Sequence, residues 1–135
     1  MAITGGCLCK AVRYSCTSEP TVTRACWCRL CQYIGAGSNT VNVFFKSADF
    51  SISGELTDYV CVADSGTVMH RRFCPKCGTA VTGQGETRPH MISVRAGTLD
   101  NPELAKPAMT IWTKQAPRWA CIDPDLPQFD AQQPT

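Results

Sequence analysis

Seven of the ten cysteines stand in three short clusters: Cys7 and Cys9; Cys26, Cys28 and Cys31; Cys74 and Cys77. Thiols one or two residues apart can place their sulfurs around one tetrahedral zinc ion, with Zn–S near about 2.3 Å. A disulfide between such near neighbours is strained. Cys74-Pro75-Lys76-Cys77-Gly78 has the form of a zinc knuckle, in which proline fixes the turn and glycine accepts a positive φ. A knuckle gives two ligands, so a closed site needs a second pair, and Cys7 with Cys9 fits. That site joins distant parts of the chain and is read as structural.

The middle cluster differs: three thiols fall within one six-residue stretch and no fourth ligand stands beside them. Three protein ligands imply an open coordination position, the arrangement of a catalytic zinc. A soft thiolate environment suits an incoming thiol, which zinc would deprotonate. Three thiolates also donate charge to the metal, which disfavours hydroxide generation and peptide hydrolysis. The alternative is a second closed site completed by Cys16, Cys61, Cys121 or a histidine. His70 and His90 lie outside ligand spacing, and Cys16, Cys61 and Cys121 stand alone, as small buried hydrophobes do. Arg24 and Arg29 flank the middle cluster and Arg71 and Arg72 precede the knuckle. They serve either to hold an anionic ligand or to balance zinc–thiolate charge. Trp27, between two candidate ligands, is read as packing.

Short strands must position these groups. Cys9 to Thr17 alternates, with Val12, Tyr14 and Cys16 on one face. Strand character recurs over Thr40–Lys46, Phe50–Ser53, Thr57–Val62, Val68–Phe73, Thr79–Thr82 and Met91–Val94, with Ser53-Gly54 and Ser65-Gly66 as breaks. These runs predict a mostly antiparallel set. One helix of barely two turns is expected over Leu30–Ala36, ended by glycine. After Gly97, prolines interrupt regular structure and the tail is expected to wrap over the sheet, with Ile111, Trp112 and Trp119 as anchors and 131–135 frayed.

A length of 135 residues with 44% hydrophobic and 18% charged residues describes one ordinary globular domain, 1–135. A net charge of +2 with one basic pair gives no electrostatic case for nucleic acid. No stretch is long enough to span a membrane, and the start lacks an export signal, so a cytoplasmic location is expected. A reducing cytosol keeps thiols free, which favours metal over disulfides.

Gly5-Gly6-Cys7-Leu8-Cys9 leading into Ala11-Val12-Arg13-Tyr14, then the Cys-x-Cys-x-x-Cys cluster, then Arg72-Phe73-Cys74-x-x-Cys77-Gly78-Thr79, resembles the glutathione-dependent formaldehyde-activating enzyme family, which includes centromere protein V. Ala96 to Asp100, Ile111-Trp112-Thr113, and Trp119 with Asp123 to Leu126 add to the resemblance. It implies a mainly β fold, a β-tent of packed antiparallel sheets stapled by zinc. It also implies two zinc ions per chain, structural on Cys7, Cys9, Cys74 and Cys77 and catalytic on Cys26, Cys28 and Cys31. The implied activity is that of a carbon–sulfur lyase or synthase, joining a small-molecule thiol, glutathione or similar, to formaldehyde or another small electrophile. Two positions depart from the family pattern: Trp27 stands where histidine is common and Lys10 where glycine is common. The competing readings are a zinc-stabilised binding or scaffold module without chemistry, and a redox protein whose clustered thiols oxidise when zinc is lost.

Overall fold

The computed structural model describes residues 2–133. In chain order its strands are β1 (Ile3–Gly6), β2 (Arg13–Cys16), β3 (Val22–Cys26), β4 (Thr40–Lys46), β5 (Phe50–Ser53), β6 (Thr57–Val62), β7 (Val68–Phe73), β8 (Ala80–Gly85), β9 (Met91–Arg95) and β10 (Met109–Ile111). One short helix, α1 (Arg29–Ile34), follows β3 directly. The strands form two sheets: three strands in the order β1-β2-β5, and seven in the order β10-β3-β4-β9-β8-β7-β6. All pairings are antiparallel except β10 beside β3. The architecture is therefore mainly β, with helix and 3-10 turns amounting to 14%.

Period-two alternation gives the large sheet two different faces. Val43 and Phe45 of β4 and Ile92 and Val94 of β9 pack with Tyr14 and Cys16 from the small sheet and with Val12 just before it, forming the main core. Tyr14 stacks on Phe50 with ring centroids 5.3 Å apart, and its hydroxyl meets that of Thr98 at 2.8 Å. Gly5 makes this possible, because a Cβ there would sit 2.3 Å from the Tyr14 hydroxyl. The other face of the large sheet carries Arg24, Asn42 and Arg95, which lie in one cross-strand row. That row matters below.

Four strands, Thr40–Lys46, Phe50–Ser53, Thr57–Val62 and Val68–Phe73, fall where their composition predicts. The first expected strand is shorter: Cys7 to Lys10 is a turn, closed by the Lys10 N–H donating to the Cys7 carbonyl at 3.1 Å, and regular pairing begins at Arg13. β8 runs on to Gly85 despite two glycines, because β7 and β9 hold it from both sides. β1, β3 and β10 have no counterpart in the sequence reading. Each is five residues or shorter, and β3 interleaves threonine and arginine with its apolar positions.

In the C-terminal segment Ile111 and Trp112 are buried, whereas Trp119 is 69% exposed and touches the molecule edge-on against Trp27, centroids 6.4 Å apart. Trp119 therefore caps a buried residue from outside instead of entering the core. The Ala131 carbonyl accepts from the Trp112 N–H at 3.1 Å, and the Phe129 N–H donates to the Thr110 carbonyl at 2.9 Å. The fraying expected over 131–135 falls in part on residues 134 and 135, which lie outside the described residues. No helix among the described residues is long and apolar enough to cross a membrane.

Candidate metal centres and an adjoining cavity

Two groups of thiols are brought together. In the first, the sulfurs of Cys7, Cys9, Cys74 and Cys77 all lie within 4.8 Å of one another. The turn after β1 supplies one pair and the turn between β7 and β8 the other. Two tetrahedral Zn–S bonds of about 2.3 Å place their sulfurs about 3.8 Å apart. The observed Sγ separations are 3.6 Å for Cys7 and Cys9, and 3.8 Å for Cys9 and Cys74, so the cradle fits that ion. Donors are arranged around it: the Val12 N–H reaches Cys7 Sγ at 3.3 Å, and the Thr79 hydroxyl lies 3.2 Å from Cys77 Sγ. The Thr79 hydroxyl, followed by the N–H groups of Cys9 and Thr79, brings the Cys77 thiol down to about 5. The Ala11 N–H favours a thiolate at Cys9, but burial and the three neighbouring sulfurs outweigh it and push Cys9 up to about 11. Gly78, with φ +75°, closes the knuckle by donating its N–H to the Cys74 carbonyl at 2.8 Å.

The second group is Cys26, Cys28 and Cys31, all buried and also within 4.8 Å of one another. Cys26 ends β3, Cys28 caps α1, and Cys31 sits in its first turn. The helix explains the spacing: Cys28 Sγ accepts the Cys31 N–H at 3.3 Å, the bond an N-cap side chain makes to a free amide in the first turn. Gln32 locks the turn from the other side, donating to the carbonyls of Trp27 and Gln115 at 2.7 and 3.0 Å. Among the described residues no fourth Cys, His, Asp or Glu joins this group. Cys16 lies in the main core, and Cys61, Cys121, His70 and His90 also stand outside both clusters.

Crowding decides the protonation of these three sulfurs. Hydrogen bonds from Cys26 and Cys28 pull Cys31 down to about 2 against its burial, with the Thr40 hydroxyl and Arg95 adding to them. Cys26 is pushed far up by Cys28 and Cys31 and by burial. Adjacent thiolates repel in a buried site, so the three sulfurs oppose one another's ionisation. A divalent metal is the group that would let all three ionise.

The trio opens onto a cavity of about 330 Å³ on the face of the large sheet opposite the main core. Arg24, Asn42, Ser93 and Arg95 line it from β3, β4 and β9, Arg71 and Gly83 from β7 and β8, and Trp112 from the segment after β10. Gly83 shapes this floor, since a Cβ there would lie 3.1 Å from Ser93 Oγ and 3.4 Å from Arg95 Nη2. Burial, with Arg88 adding, holds the Arg24 guanidinium below its ordinary value. Burial does the same to Arg95, where the Cys31 charge opposes the shift and Arg71 adds to it.

Of the residues the sequence singles out, all seven clustered cysteines, Arg24 and Arg71 meet at these sites. Arg29 instead lies over the Tyr33 ring and donates to Gln32, and Arg72 faces Asp58 and Gln84. Trp27 points away from the cavity into packing with Trp119. Arg88 and Arg95 escape sequence reasoning, as each is an isolated basic residue. The signal that would find Arg95 is register, since pairing β4 with β9 sets it beside Asn42 and thereby in line with Arg24.

The sequence profile described as glutathione-dependent formaldehyde-activating enzyme matches residues 2–115, a span that contains both thiol groups and the four arginines around the cavity. Among solved structures, the crystal structure of a Rhodobacter sphaeroides protein shares the fold. It superposes with a TM-score of 0.59 at 23% identity, over 77% of this chain and 96% of that one. No curated protein matches the sequence.

Proposed function

We propose a function from one premise: the chain belongs to the glutathione-dependent formaldehyde-activating enzyme family. The proposed activity is that of a zinc-dependent carbon–sulfur lyase or synthase. It adds the thiol of glutathione, or of a similar small thiol, to formaldehyde or another small electrophile, and cleaves the adduct in reverse. The observation that carries this reading is the buried trio Cys26, Cys28 and Cys31, which has no fourth ligand among the described residues and borders a cavity of about 330 Å³. In the same reading Cys7, Cys9, Cys74 and Cys77 hold a structural zinc, so one chain, acting as a single domain, carries two ions.

Bound zinc supplies the Lewis acidity that turns an incoming thiol into a thiolate at neutral pH. The protein's own groups do the rest. Cys26, Cys28 and Cys31 hold the ion, and the Cys31 N–H on Cys28 Sγ and the Thr40 hydroxyl near Cys31 fix two of those sulfurs. Arg95 offsets negative charge beside Cys31. Ile111 and Trp112 give the cavity an apolar side that keeps water from the reacting carbon. In the addition one S–C bond forms, the π bond of the carbonyl breaks, and the thiol proton ends on the carbonyl oxygen. Nothing is oxidised. The cavity contributes mainly by holding thiol and electrophile in contact.

The test combines metal analysis with kinetics. The purified protein is expected to carry two zinc ions per chain and to form S-hydroxymethylglutathione from glutathione and formaldehyde faster than the spontaneous reaction. Cys28→Ala should return the rate to the spontaneous one. Equal rates with and without the protein, for every thiol tried, would overturn the assignment.

A further inference from the structure

Four arginines surround the cavity beside the thiol trio: Arg24 on β3, Arg71 on β7, Arg95 on β9, and Arg88 in the loop joining β8 to β9. They form two poles. Arg95 lies over Gly83, which pairs across the sheet with Arg71, so these two share one end of the floor. Arg24 stands at the other end of the Arg24, Asn42 and Arg95 row, over the Phe44 ring with its Cζ 4.9 Å from the centroid, and Arg88 is its charged neighbour at the rim. Such like-charged pairs are unfavourable unless something anionic lies between them.

Nothing among the described residues fills that role. Among the described residues, no carboxylate lies within 4.0 Å of any of the four guanidiniums. Arg95 has a single side-chain partner, Asn42 Oδ1 at 2.5 Å, and the Nε atoms of Arg24, Arg71 and Arg95 are buried with no partner. Among the described residues, Asp64 is the one acidic residue lining the cavity, and its Oδ2 already accepts from Gln115 at 2.9 Å. A zinc ion held by three thiolates carries one net negative charge. With Asp64 that offsets two of the four positive charges, and a surplus of two remains. Balancing the metal centre therefore does not account for four arginines.

Resting on the proposed thiol chemistry, we propose that the cavity selects a ligand carrying two carboxylates, one received by Arg71 and Arg95 and the other by Arg24 and Arg88. Paired guanidiniums suit this, because each fork can meet both oxygens of a carboxylate. Gly83 keeps the floor low enough for Arg95 to lie across it. Arg71 and Arg88 are then specificity-determining residues of the site, and neither belongs to a thiol group.

The probe is S-methylglutathione, which has both carboxylates and no free thiol, compared by calorimetry with its dimethyl ester on the zinc-loaded protein. The diacid is expected to bind at least about tenfold more tightly than the diester, with the gap shrinking as salt rises. Arg71→Gln and Arg88→Gln should each weaken the diacid by about tenfold, while Arg71→Lys restores part of the loss. Unchanged zinc content reports that the variants are folded. Equal binding of diacid and diester overturns the proposal, as does inorganic phosphate binding as tightly as the diacid, which would mark a single-anion site. The outcome is separable from the catalytic assignment. Accelerated adduct formation with 2-mercaptoethanol but no preference for the diacid sinks only the arginine cradle. A clear preference with no acceleration of any thiol sinks only the chemistry.

Discussion

On the proposed two-zinc reading, stripping zinc should cost the fold unequal amounts at the two centres, because they close loops of very different length. Cys9 and Cys74 are 65 positions apart, so the outer site ties the first hairpin to the turn between β7 and β8. Cys26 to Cys31 span five positions within one segment, so the central site joins only the end of β3 to α1. Loop-closure entropy grows as (3/2)RT ln n, and a thirteenfold ratio of lengths makes the outer link worth about 2.3 kcal/mol more. For a chain of this size, between the small and mid-sized domains for which Tm sensitivities are known, that is about 7 to 11 °C. The comparison needs each site alone. Cys28→Ala leaves only the outer centre intact, and the double variant Cys9→Ala with Cys77→Ala leaves only the central one. Melting each variant with and without a chelator cancels the cost of the substitutions themselves. Chelation is expected to lower the melting temperature of the Cys28→Ala protein by the larger amount. A drop as large in the double variant would refute the assignment of the outer centre as the staple of the fold.

Lys10 occupies a left-handed conformation, φ 67°, at the turn carrying Cys7 and Cys9, so Lys10→Gly should stabilise by about 1 kcal/mol in denaturant melts. Tyr14→Phe removes the buried bond to Thr98, whose hydroxyl still donates to the Arg95 carbonyl at 2.7 Å, and a loss of about 1 kcal/mol is expected in the same melts. His70 takes a carboxylate on each ring nitrogen, Asp58 at 2.7 Å and Glu86 at 2.8 Å, and these raise its pKa, Asp58 foremost. A raised folded value means this contribution is full below about pH 6.5 and is lost as pH climbs through the folded value. The wild-type melting temperature should therefore fall over that range relative to His70→Gln, and parallel pH profiles would exclude the contribution.

The grouping of the thiols was legible in the sequence because each short cluster is local: a turn or a helix start places two or three thiols by spacing alone. The same holds for Thr40–Lys46 and Thr57–Val62, whose β-branched and aromatic residues identify a strand without reference to partners. β10 is the contrary case. Three residues flanked by proline-rich chain carry no period, and the strand exists because β3 offers an unpaired edge next to the thiol trio. Trp119 misled for a related reason, since a tryptophan's apolar area is visible in sequence but the surface it will meet is not.

Arg24 and Arg71 stood out beside the cysteine clusters, but Arg88, Arg95 and the way the four come together were hidden by the same logic. Arg24, Arg71, Arg88 and Arg95 are separated by up to seventy-one positions, and no spacing rule connects them. What unites Arg24, Arg71 and Arg95 is sheet register: a one-residue slip of β9 against β4 would turn Arg95 toward the main core and bring Val94 to the cavity. Register is fixed on the far side of the sheet, where Val43, Phe45, Ile92 and Val94 must face Val12 and Tyr14. The packing that stabilises the fold thus also sets which charges face the ligand. A core substitution that let β9 slip should weaken binding of a dicarboxylate while leaving the central thiols and their zinc intact, because Cys26, Cys28 and Cys31 are all carried by β3 and α1. Calorimetry and zinc analysis on one such variant, Val94→Thr, would read both quantities. Loss of zinc from the central site in step with ligand binding would show that the two are not positioned independently.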